Sequence, residues 1–172
     1  GLQVRWSAEL EQHEISQCRR LDGAQHLDCI AGIAREIHWR GRAEVHGSPP
    51  AELSAEEALA YAFGYGTHRG GKLEPCRDFD EPRLRAQCEG AVRLDCLLWA
   101  DVFMIGLHQE PVSHPACELP APNMGSFWGH VHAEIQARPA GRRPRIPSEL
   151  LSAGKDDFGG CERVFDECYP PL

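Results

Sequence analysis

Eight cysteines in a chain of 172 residues constrain this sequence more than any other feature. No C-x-x-C and no C-x-x-C-H occurs, so zinc ribbons, thioredoxin-like redox sites and c-type haem attachment are disfavoured. Two stretches hold half of the cysteines: "CRRLDGAQHLDC", 18–29, and "CRDFDEPRLRAQC", 76–88. Both open with Cys-Arg, carry an Asp four residues on, and close with a second Cys. Paired cysteines persist in oxidising compartments. The expectation is therefore a periplasmic or secreted protein whose cysteines act as staples, favoured over a cytosolic chain with reduced thiols.

The length fits one domain spanning 1–172, long enough to bury a core. With 42% hydrophobic and 26% charged residues, the composition argues against disorder. The net charge of −8 repels phosphate backbones, so no nucleic-acid partner is expected. No membrane span is expected either: the most apolar stretch, "CLLWADVFMIGL", 96–107, is interrupted by Asp101 and too short. The opening "GLQVRW" lacks a signal-peptide pattern and reads as a trimmed or mature start.

The periodicity is helical. Residues 8–21 read as a helix capped by Ser7, and "DG" at 22–23 as a turn. In 24–39, Leu27, Ile30, Ala31, Ile33, Ala34 and Ile37 share one face, with Gln25, Asp28, Gly32 and Arg35 opposite. Ser54 and Glu57 form a capping-box pattern for "LSAEEALAYAF". That helix is expected to end at the glycines of "GYGTHRGG" through a left-handed cap. A long helix follows, capped by Asp80 or Glu81, with Pro82 in its first turn, reaching about Leu107. Its Glu81, Arg85, Glu89 and Arg93 form an alternating-charge stripe, read as a solvated face. Residues 108–125 are a Pro-rich loop. Residues 126–138 alternate enough to fit a strand, but helix is favoured. Residues 138–147 are a basic loop, and "GGCERVFDECY" reads as a short terminal helix. The fold class is all-α: a disulfide-stapled domain of four to six helices, with the two Cys-bounded stretches as candidate copies of one helical hairpin.

Pairing follows from helix geometry. Cys18 and Cys29 lie at equal heights on the two arms of a hairpin turning at 22–23, and Cys76 and Cys88 flank the Asp80–Pro82 turn almost as symmetrically. Cys88 and Cys96 are about 12 Å apart along one helix, and Cys161 and Cys168 about 10.5 Å. Both separations exceed disulfide reach. Cys96, Cys117, Cys161 and Cys168 then pair among themselves: Cys96–Cys161 with Cys117–Cys168, or the exchanged partners.

Few residues point to catalysis. "HEISQ" lacks the second His of a zincin, "MGSFWGH" has the wrong spacing for a nucleophile elbow, and "GYGTHRGG" is not a phosphate-binding loop. The catalytic candidates are Asp95 and His26, each within the apolar arc of its helix, where burial would perturb an ionisable group. A structural, hydrogen-bonded role is favoured for both. His130, His132 and Glu134 would suit a metal only if their segment were a strand, because i and i+2 diverge on a helix. No cofactor is expected. Trp6, Trp39, Trp128, Tyr61 and Tyr65 lie near helix ends or glycine-rich loops, where plugging the core is favoured over anchoring a partner. Trp128 and the basic-loop residues Arg142, Arg143 and Arg145 are the partner-binding candidates, with Arg138 beside them. The expected function is a secreted or periplasmic module that binds another protein, as an inhibitor, immunity factor or assembly component. The alternative is an exported hydrolase with a His/carboxylate or metal site.

Overall fold

The computed structural model describes residues 8–39, 50, 52–67, 69, 71–104, 160, 161 and 163. Among them the chain is all-helical, with no strand: α1 (Ala8–Cys18), α2 (Gly23–Trp39), α3 (Ala55–Gly66), a 3-10 helix (Glu74–Asp78) and α4 (Pro82–Met104). Four α-helices sit at the lower end of the expected range. Residues 105–159, with the Pro-rich loop, the 126–138 segment and the basic loop, lie outside the described residues, as do Cys117 and Cys168.

α3 is the central element. From Ala58 to Gly66 its sequence, ALAYAFGYG, contains no charged residue, and a helix apolar on all sides belongs in an interior. Every residue from Leu59 to Thr67 is buried. Small residues alternate with large ones, so Ala60 and Gly64 stand one turn apart on one face, and Ala62 and Gly66 on another. Positions two residues apart diverge by about 200°, which turns these two shallow grooves in opposite directions. α2 fills the first, where a Cβ on Gly64 would run into the backbone of Ala31. α4 fills the second, where a Cβ on Gly66 would meet the Cys88 carbonyl and the Ala91 side chain. The domain is thus layered α2–α3–α4, with α1 packed on the α2 layer.

This corrects the expected role of the glycines. Neither Gly64 nor Gly66 ends the helix in a left-handed conformation. The C-cap is Thr67, in extended conformation (φ −72°, ψ 151°). Its N–H and its hydroxyl both donate to the Gly64 carbonyl, at 3.2 and 2.7 Å. The glycines are there because two helix backbones approach closer than any side chain allows. Positive φ occurs at Gly23 (52°), in the anticipated turn between α1 and α2, and at Gly71 (80°). Gly71 receives the backbone of Gly160 and Cys161, so the C-terminal segment docks where a Cβ would block it.

The helix ends differ in detail from the pattern reading. α1 stops at Cys18 rather than at 21. Bonds from Arg20 N–H to the Gln17 carbonyl (3.1 Å) and from Leu21 N–H to the Cys18 carbonyl (3.0 Å) tighten its last turn to 3-10 geometry. At the start of α4, the Glu81 carbonyl accepts from Arg85 N–H at 3.0 Å, with Pro82 as the first helical residue. The charge stripe is not a simple solvated face. Arg85, Glu89 and Arg93 are half-buried. Arg85 donates to the Phe79 carbonyl from Nε (3.1 Å) and Nη2 (2.9 Å), clamping the turn that leads into α4.

Three disulfides tie these elements: Cys18–Cys29 joins α1 to α2, Cys76–Cys88 joins the 3-10 helix to α4, and Cys96–Cys161 joins α4 to the C-terminal segment. Among the described residues no cysteine is free. Tyr61 and Tyr65, placed near glycines in the sequence, are core residues, and Tyr65 meets Phe79 edge-on at 5.2 Å.

The layering makes opposite predictions for two helical glycines. Gly64→Ala is expected to lower the melting temperature despite its better helix propensity. Overpacking against fixed backbone costs about 1–3 kcal/mol or more, against a propensity gain of about 1. Gly32→Ala meets nothing within 4 Å and is expected to raise the melting temperature. Thermal unfolding followed by circular dichroism checks both.

Candidate functional site

One polar group joins three helices: the Glu57 carboxylate, where α1, α2 and α3 converge. Its position is set locally. Ser54 is the N-cap of α3, with its hydroxyl accepting from Glu57 N–H at 3.1 Å. Glu57 returns the bond, its Oε1 accepting from Ser54 N–H at 3.0 Å. The capping box anticipated from the sequence is therefore present, but it is only part of what Glu57 does. Arg19, in the turn after α1, donates from Nε to Oε2 at 3.1 Å and from Nη2 to Oε1 at 3.2 Å. The same Nη2 reaches the Glu52 carbonyl at 2.9 Å. Gln12 of α1 donates to Glu52 Oε1 at 3.1 Å. His26 of α2 places Nε2 at 2.9 Å from Glu57 Oε2.

The electrostatics follow from these contacts. Burial pushes the Glu57 carboxyl up, but donation from Arg19, from the Ser54 amide and from His26 outweighs it, and the pKa falls to about 2. The bond to Glu57 holds the Arg19 guanidinium above its ordinary value, against a smaller effect of burial. A carboxylate so fully engaged is a poor proton acceptor. It is well suited to fixing the orientation of an imidazole. His26 is about a quarter exposed, so the pair is open to solvent on the imidazole side. A carboxylate–imidazole pair is two members of an acid–base relay. Among the described residues, no hydroxyl or thiol supplies the third by hydrogen bonding to His26.

Two further polar clusters sit on α3. Tyr61 donates to Glu11 of α1 at 2.8 Å, both groups buried. Tyr65 donates to Asp78 of the 3-10 helix at 2.9 Å, while Arg69 stacks 4.2 Å over its ring and donates to its carbonyl at 2.7 Å. Burial, reinforced by the Asp78 bond, raises the Tyr65 phenol to about 12. Burial lowers the Arg69 guanidinium. These are cross-braces between α3 and its neighbours.

Of the two catalytic candidates, His26 lies on α2 within the Glu57 cluster. Asp95 is buried in α4, on the opposite side of α3. They occupy different layers and do not form one catalytic pair. His130, His132, Glu134, Trp128, Arg142, Arg143 and Arg145 lie outside the described residues. Among the described residues no cluster of three or more His, Cys, Asp or Glu is placed to hold a metal, and no helix is long and apolar enough to cross a membrane. The sequence pattern marks Glu57 only as a cap and carries no direct signal for Arg19 as its partner. An indirect signal was available: in a hairpin in register at Cys18 and Cys29, Arg19 and His26 flank the same turn. No family model, curated protein or solved structure matches the chain.

The depressed carboxyl of Glu57 fixes a pH dependence. Its folded value, about 2, lies below its ordinary value of 4.5. Its contribution to stability is complete above the ordinary value and lost as pH falls towards the folded one. With Arg19 partly solvated, that contribution is on the order of 2 kcal/mol. Glu57→Gln is expected to lower stability at neutral pH by about that amount and to flatten the loss on acidification. Urea unfolding at neutral and acidic pH measures both.

Proposed function

We propose that this chain is a secreted or periplasmic protein-binding module, of inhibitor, immunity or assembly type, whose disulfide frame holds a fixed helical surface. What supports the reading most is the placement of the bridges. Each joins two different elements: one ties α1 to α2 on one flank of α3, and two tie the 3-10 helix, α4 and the C-terminal segment together on the other. Disulfides of this kind belong to an oxidising compartment. A surface rigidified before association loses less conformational entropy when it binds. On the described part, α1 offers a polar outer face of Gln12, His13, Ser16 and Gln17. It continues into Arg20 and into Leu21, a large apolar side chain that is exposed. The mix of a polar surround with an apolar point suits a protein partner better than phosphate or lipid. Trp128, Arg142, Arg143 and Arg145 remain proposed contacts.

One observation favours a second reading, an exported hydrolase: the 2.9 Å pair of His26 and Glu57 with its part-exposed imidazole. The two readings separate experimentally. With a photo-crosslinking residue at position 21 in the exported chain, the binding module is expected to give a discrete, saturable adduct with one other protein. That adduct should persist in His26→Asn, which keeps a donor for Glu57. No saturable adduct, together with hydrolysis of ester, peptide or glycoside substrates that His26→Asn abolishes, would establish the hydrolase instead. Intact mass on reduction is expected to rise by about eight hydrogens, one for each cysteine.

A further inference from the structure

We propose that the Cys18–Cys29 bridge is a thiol-exchange site, opened by an external thiolate at Cys29 while the other described bridges stay closed. Five of the six described cysteines are sealed: Cys76 and Cys88 are 0% exposed, Cys18 and Cys96 1%, and Cys161 2%. Cys29 is the exception, lying half-buried on the flank of the core. Exchange requires a thiolate to reach one of the two sulfurs, so access selects the bond that reacts. Neither Cys76–Cys88 nor Cys96–Cys161 offers an accessible member. Cys18–Cys29 offers one, and the geometry assigns the direction of attack.

The step balances without any oxidant. A thiolate of a small monothiol such as glutathione attacks Sγ of Cys29. The Cys18–Cys29 sulfur–sulfur bond breaks, and Cys18 leaves as a thiolate that takes a proton from water. Cys29 now carries a mixed disulfide. A second thiolate attacks the sulfur of the bound monothiol, frees Cys29 as a thiolate and leaves the monothiol as its own disulfide. With a dithiol as reductant, the second step is intramolecular and no adduct accumulates.

The surroundings of the bridge let it open without collapse. α1 packs on α2, outside the α2–α3–α4 layering. It stays tethered by Arg19 to Glu57, by Glu11 to Tyr61 and by Gln12 to Glu52. Reduction therefore unlocks the α1–α2 hairpin and leaves the core bridges intact. The site combines a half-buried cysteine, a buried leaving partner and a helix held by other contacts.

The test uses the oxidised full chain in graded glutathione and, separately, in a dithiol. Aliquots are acid-quenched, alkylated and peptide-mapped, with helicity followed in parallel. The expected result is opening of Cys18–Cys29 on the order of tenfold or more ahead of both other bridges, at unchanged helicity. The glutathione arm should place the adduct on Cys29 and the alkyl group on Cys18. The dithiol arm should leave both alkylated without adduct. Opening of all three bridges at a common rate, earlier opening of Cys76–Cys88 or Cys96–Cys161, or an adduct on Cys18 would each overturn the proposal. Loss of helicity together with the first bridge would do the same, because exchange would then follow unfolding rather than access.

Discussion

The structure depends on how closely α3 approaches its two neighbours. Gly64 lets the helix backbone touch α2 at Ala31, and Gly66 lets it touch α4 at Cys88, on opposite sides of one cylinder. At such distances side chains do not mediate the contact, so van der Waals packing of backbone on backbone sets the spacing of the layers. Large residues on α3 then fill what remains. Tyr61 and Phe63 are fully buried, and Tyr65 nearly so. Two tyrosines in a tight core bring hydroxyls that need partners. Glu11 and Asp78 supply them from α1 and the 3-10 helix, so burying the aromatics also decides where those elements dock.

The same logic governs the junction at Glu57. A carboxylate taken from water needs compensation on both oxygens. Here it comes from a backbone amide of its own helix, a guanidinium from the turn after α1 and an imidazole from α2. Because the three donors belong to different elements, the group fixes the angle at which the α1–α2 hairpin meets the start of α3. The cap of one helix thus also acts as a joint among three.

Much of the architecture was legible because its signals are local. The cap at Ser54 and Glu57, the Asp22–Gly23 turn and the apolar face of Ile30, Ala31, Ile33 and Ala34 each depend on residues within a turn or two of one another. The pairing of Cys18 with Cys29 followed from hairpin symmetry, and Cys96–Cys161 is one of the pairings that helix length left open. What the pattern did not reveal is tertiary. α3 does end at Gly66, but the close approaches at Gly64 and Gly66 have no local signal, because their partners, Ala31 and Cys88, are distant in sequence. Arg85 looked like one member of a surface stripe, since its acceptor, the Phe79 carbonyl, is a backbone atom invisible to charge periodicity. In the candidate site, His26 was noticed for its odd place on an apolar arc. Its carboxylate lies 31 residues away, with no sequence signal of its own beyond the cap.

The spans of the bridges have a consequence for biogenesis. Two close over 11 and 12 residues, and the third over 65. A chain emerging from its N-terminus brings Cys18 and Cys29 together almost at once, then Cys76 and Cys88, each within a stretch short enough for chance encounter. Cys96 must wait. Cys117 emerges before Cys161, the partner of Cys96. Correct closure depends on the C-terminal segment reaching the bare backbone at Gly71, which accepts Gly160 and Cys161. Proofreading by a disulfide isomerase would therefore matter most at Cys96, where the last sulfur to arrive is the one that must be chosen.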